Sequence, residues 1–177
     1  MGMECNTVYG LDRQQRVNYL PAMEALLYRH LEAAIIDVLQ VKSARLGSLR
    51  ARMRRLRGFG LPAEKPGTGA PMEYSYRQAL AILLALELEH FGVAPRNAVP
   101  VALSIQRMVP FDGQWEGEDS YVVLHSHLGD REFTIASTRT QLEELRRRFP
   151  RGHAIINVAE CVRQLDAALH RQLTGRK

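Results

Sequence analysis

The chain has 177 residues, 46% of them apolar, with a formal net charge of +5 at pH 7 and a pI near 9.6. That is enough apolar side chain for a folded domain with a small second unit, and it excludes disorder over most of the length. The longest apolar run, Ala79 to Leu86, is too short to span a bilayer, and the isolated Cys5 and Cys161 exclude a disulfide framework or a cysteine-based zinc cluster.

Residues 1–19 are polar and read as a loose N-terminal arm. The opening MGMECNTVYG lacks the basic patch and apolar run of a signal peptide, so a cytoplasmic location is expected. Pro21 suits the first turn of a helix. Met23, Leu27, Leu31, Ile35 and Val38 then recur at three and four residues and predict one long helix or two short ones ending near Leu39. A turn is expected over Gln40–Ser43, with Ser43 capping the next helix, and a rival register puts the turn at Leu46-Gly47-Ser48.

The helix that follows is dense in arginine. Leu46, Leu49, Met53 and Leu56 share one stripe, while Ser48, Ala51, Arg52 and Arg55 are expected on the opposite face, flanked by Arg50, Arg54 and Arg57. Between residues 42 and 65, eight cations (Lys42, Arg45, Arg50, Arg52, Arg54, Arg55, Arg57 and Lys65) stand against Glu64, a net of +7. Residues 66–177 sum to zero and residues 1–41 to −2, so the positive excess sits in one short segment, as a polyanion-binding element would have it. Small residues beside guanidinium arms suit entry into the major groove of duplex DNA. On this reading Ser48, Arg52 and Arg55 meet base edges, and Lys42, Arg45, Arg50, Arg54 and Arg57 meet phosphates.

Leu61 to Tyr74 contains three prolines and two glycines and predicts an exposed, hairpin-like loop, with Lys65 and Thr68 at its tip as further phosphate contacts. Ser75 caps a leucine-rich helix to Phe91 that has almost no polar face, and Gly92 stops it. Pro95 opens another helix, in which Pro100 predicts a kink or a late start.

With Gly60-Leu61, the loop glycines Gly67 and Gly69, Tyr74, Leu80 to Leu88 and Gly92-Val93 in this order, residues 31–108 resemble the DNA-binding domain of the MerR family of transcription regulators. The resemblance implies a winged helix-turn-helix over residues 20–110 and a dimeric regulator, with Arg52 and Arg55 on the recognition helix and Lys65 in the wing. The chain departs from the family in having no effector-binding cysteine set and no long coiled-coil helix directly after the domain.

After the glycine- and acid-rich run FDGQWEGED, residues 111–177 read as a small ββαβα unit for dimerisation or partner contact. SYVVLHSHL and REFTIAS form a hairpin, Thr140 caps a short helix, HAIINV is a strand, and a final helix presents Val162, Leu165, Leu169 and Leu173. The fold class is α+β, mainly helical in its first domain.

Other chemistry is set aside. His125 and His127 alternate on a strand with Asp130 and Glu132 across the turn, but no third ligand converges on them, so no metal is expected. Glu116, Glu118 and Asp119 read as solvated linker charges. Arg146, Arg147 and Arg148 are balanced by Glu143 and Glu144. No P-loop, GxGxxG, GxSxG or ordered Ser/His/Asp set occurs, so neither catalysis nor a cofactor is expected.

The expected function is that of a bacterial, cytoplasmic, homodimeric regulator that binds double-stranded DNA sequence-specifically. RNA polymerase or another regulator is an expected further partner, and membranes are not. The alternative is an adaptor docking on the transcription machinery with weak DNA contact. An RNA-binding module is disfavoured by the lack of paired aromatics on a predicted strand.

Overall fold

The computed structural model describes residues 26–62, 72–108, 121–127, 130–136, 138–148 and 154–175. The predicted arm, the loop tip with Lys65 and Thr68, and the acidic linker lie outside them. Among the described residues, six α-helices and two small sheets make an α+β fold.

Leu26 and Leu27 are strand β1, paired antiparallel with β2 (Glu73–Tyr74), rather than part of a helix. Leu26 and Tyr74 are both essentially unexposed, so burial of their side chains holds this two-residue ladder. Helix α1 therefore starts at Tyr28 and runs to Val38, with Leu31, Ala34 and Ile35 inward. A 3₁₀ turn over Ser43–Arg45 separates it from α2 (Leu46–Gly58). The chain turns between Val38 and Ser43, as the first register has it, while its cap and the rival turn at Leu46-Gly47-Ser48 are corrected. Ser43 heads the 3₁₀ turn and does not cap α2, whose cap position is Arg45 without a side-chain bond, and Gly47 lies inside the first turn.

Helix α3 (Tyr76–His90) begins at a capping box, in which Ser75 Oγ accepts from the Gln78 amide and Gln78 Oε1 accepts from the Ser75 amide. Ten of its fifteen residues are buried, and α2 and two later helices pack against it. Gly92, at φ +78, supplies the left-handed residue that ends it. Helix α4 (Pro95–Met108) lies along α3, with Ala98, Val99, Ala102 and Ile105 facing inward. Pro100 stays within α4 as an exposed residue, so the helix starts at Pro95 and not late.

The C-terminal elements follow the order ββαβα: β3 (Tyr121–His127), β4 (Asp130–Ala136), α5 (Arg139–Arg148), β5 (Ala154–Asn157) and α6 (Val158–Thr174). The sheet order is β4-β3-β5, antiparallel throughout, with Tyr121 opposite both Ala136 and Asn157. The two-residue strand period splits β3 between two cores. Val122 and Leu124 join the main cluster, while Val123 packs with Leu142 of α5. The cap of α5 is Thr138, whose Oγ1 accepts from Gln141 N, and not Thr140.

Helix α6, capped by Asn157, packs mainly along α1 and also touches α3. Leu165, Ala168 and Leu169 enter the same buried cluster as Leu31, Ile35 and Leu84. Leu173, expected on this apolar side, is instead 38% exposed in the last turn of α6. An Arg171–Asp37 ion pair joins the two helices at the surface.

Candidate functional site

Leu49, Met53 and Leu56 anchor α2 in the core, as the apolar stripe requires. The opposite crest exposes Gly47, Ser48, Ala51, Arg54, Arg55 and Gly58. The arginines around the stripe divide into three groups.

On one flank, Arg50 reaches back to Glu32 of α1, its Nε on one carboxylate oxygen and its Nη2 3.4 Å from the other. Arg50 is 54% exposed and Glu32 only 13%, so this pair orients α2 against α1 while its cation still faces solvent. Two turns on, Arg57 Nη2 donates to the hydroxyl of buried Tyr74 at 2.9 Å, tying the end of α2 to β2. Tyr28 lies beside that tyrosine, with ring centroids 6.2 Å apart, and burial raises its pKa.

On the other flank the structure departs from the sequence reading. Arg52, expected outward beside Arg55, turns onto the end of α3, where Nε donates to Glu89 Oε2 at 2.6 Å and Nη2 to the Leu86 carbonyl at 2.8 Å. Its side chain is 28% exposed and that of Glu89 7%. The reason is angular. Arg52 lies roughly 60–70° from the centre of the buried stripe at 100° per residue, close enough for its long arm to fold under the helix. The sequence carried a signal for this: Glu87 and Glu89 sit in the last turn of α3, where the helix dipole opposes anions unless a cation holds them. Glu32, Tyr74 and Glu89 are the site partners that sequence reasoning missed.

The third group is open. Lys42, Arg45, Arg54 and Arg55 are exposed and have no carboxylate partner among the described residues. With Ser48 and the solvent side of Arg50 they make the exposed side of the α1–α2 turn and of α2 a basic strip. Guanidinium forks in such a strip suit planar or tetrahedral anions. Lys65 and Thr68 lie outside the described residues.

Two half-buried titratable groups, Glu87 on α3 and Cys161 on α6, have displaced pKa values. Burial raises the Glu87 carboxyl above its ordinary value, with His90 and Arg52 pulling the other way. The folded state therefore holds this proton more tightly than the unfolded chain, and stability is lost as pH rises from the ordinary value of 4.5 toward the higher folded one. Glu87→Gln is expected to raise the melting temperature at pH 7, and the gain should vanish below pH 4.5, as a pH series of thermal melts would show. Burial pushes the Cys161 thiol up to about 12, with Glu87 and Glu160 adding to the shift, so it is not a reactive thiolate at neutral pH. Among the described residues no three His, Cys, Asp or Glu side chains converge as a metal set, and no helix is long and apolar enough to cross a membrane.

No protein-family model matches this chain, and no curated protein matches it.

Proposed function

We propose that the chain is a sequence-specific, double-stranded DNA-binding transcription regulator of winged helix-turn-helix type, resembling the MerR family and acting as a homodimer. The observation that carries this reading is α2 itself, seated in the core by Leu49, Met53 and Leu56 while Ser48, Ala51, Arg54 and Arg55 stay exposed on its crest. In this reading α1 and α2 are the helix pair, α2 enters the major groove, and β2 is the return of the wing onto β1.

Base contact falls to Ser48 and Arg55. Phosphate contact falls to Lys42, Arg45, Arg50, Arg54 and Arg57, with Lys65 and Thr68 from the wing. Arg52 is reassigned to holding α2 on α3, because its guanidinium is turned onto Glu89 and the Leu86 carbonyl. Homodimerisation through residues 111–177 would present two copies of α2 to two half-sites.

Selection of bound fragments from random duplex, followed by two substitutions, tests the reading. Arg55→Ala is expected to cost about 1–3 kcal/mol of discrimination at one base pair. Arg54→Ala should weaken all duplexes alike and reduce the salt slope by about one. Failure to enrich any sequence, or identical effects of the two substitutions, would remove direct readout. The adaptor reading is favoured by Phe59 and Phe91, 47% and 42% exposed at the ends of α2 and α3. An adaptor predicts duplex affinity with no steep dependence on salt.

A further inference from the structure

An open cleft of about 490 Å³ lies between the end of α1, the start of α2 and the last turn of α3. Its size falls within that of small-molecule sites, roughly 300–1,000 Å³. The wall is divided by chemistry. Half-buried Val38, Leu39 and Val41 supply an apolar surface over the buried Leu49 and Leu86, and Lys42 and Arg45 line the cleft, exposed and without a carboxylate partner among the described residues.

Gln40 forms one side of the cleft, and its φ of +48 is the left-handed cap of α1, where Val41 N donates to the Ile36 carbonyl and Gln40 N to that of Asp37, so the turn is shaped by the helix end. Glu87 and Arg52 also line the cleft; Arg52 is already paired with Glu89, so a dianion would face the Glu87 carboxylate with just Lys42 and Arg45 left to hold it. A single negative charge satisfies Lys42 and Arg45 without that opposition. The Arg45 fork matches a carboxylate in two-point geometry.

We propose that this cleft binds a small amphipathic monocarboxylate, its charged end at Lys42 and Arg45 and its hydrocarbon body against Val38, Leu39 and Val41. Lys42, Arg45 and Ser48 also belong to the strip assigned to DNA. If that assignment holds, on which this consequence alone rests, an occupied cleft withdraws two phosphate contacts and lowers duplex affinity.

The test is calorimetric titration of the full chain with octanoate, with octylamine and acetate as controls for the charge and the chain. Octanoate is expected to bind saturably below about 1 mM, with both controls at least about tenfold weaker. Arg45→Glu and Lys42→Glu, both at exposed positions and so compatible with the fold, should each weaken octanoate about tenfold or more at an unchanged melting temperature. Equal binding of octanoate and octylamine, no saturable binding, or unaltered affinity in both charge reversals overturns the site. Because this titration contains no DNA, a failure of duplex binding counts against the DNA assignment and leaves the octanoate result standing. Octanoate that binds as expected without changing duplex affinity overturns the competition.

Discussion

Arg52→Ala is expected to lower the free energy of unfolding by about 2–3 kcal/mol and the melting temperature by roughly 4–12 °C. The substitution strands Glu89, which is 7% exposed and whose Oε1 already has no hydrogen-bond partner, and it removes the donor on the Leu86 carbonyl. A carboxylate left unpaired in such a place costs more than the ion pair contributes, because desolvation is no longer offset. The figure sits at or below the roughly 3–5 kcal/mol typical of fully buried pairs because Arg52 keeps 28% of its side-chain surface in water. Arg52→Leu combined with Glu89→Leu should recover most of the loss, since both charges leave together. Urea and thermal denaturation of the three variants would check this. A silent Arg52→Ala that nevertheless loses duplex discrimination would return Arg52 to the base-reading role.

Leu165→Ala should destabilise the whole described fold by about 2–5 kcal/mol, the range for a leucine deleted from a closed core. Leu165 is completely buried on α6, the helix that packs along α1 and touches α3, and it shares one cluster with Leu31, Ile35 and Leu84. The cavity would therefore open under the helix pair that carries the basic strip, although residue 165 lies in the C-terminal third of the chain. The expected result is one cooperative transition, moved to lower denaturant with unchanged steepness. Two transitions, with the variant shifting just one, would mean that residues 111–177 unfold as a unit of their own. The outcome decides whether the basic strip can be studied on a fragment ending near residue 110.

On the proposed reading, duplex binding and fold stability make separable demands on neighbouring arginines of one helix. Arg54 and Arg55 stand on the crest of α2, where their loss should register in DNA binding and leave melting unchanged. Arg52 lies under the flank, where its loss should register in melting. Arg50 and Arg57 are intermediate, each joined to a neighbouring element while its residue as a whole stays exposed.

The sequence by itself determined the features that arise within about a turn of helix or a pair of strands. The Leu49, Met53 and Leu56 stripe, the Ser75 cap, the almost wholly buried α3, the β3–β4 hairpin and the concentration of cations between residues 42 and 65 follow from local spacing. Tertiary structure alone decided which arginine stays on the surface. Arg52 finds Glu89 across 37 residues and Arg171 finds Asp37 across 134, and no periodicity encodes pairings at such separations. The same holds for Leu26-Leu27, which has the spacing of a helix but is drawn into a strand because Glu73–Tyr74 lies beside it. It holds too for the cleft, which exists where the ends of three helices meet and belongs to none of them. Local geometry chooses the elements and which of their faces are apolar. The long-range contacts settle which charged groups at the edges of those faces are spent on the fold and which remain available to a partner.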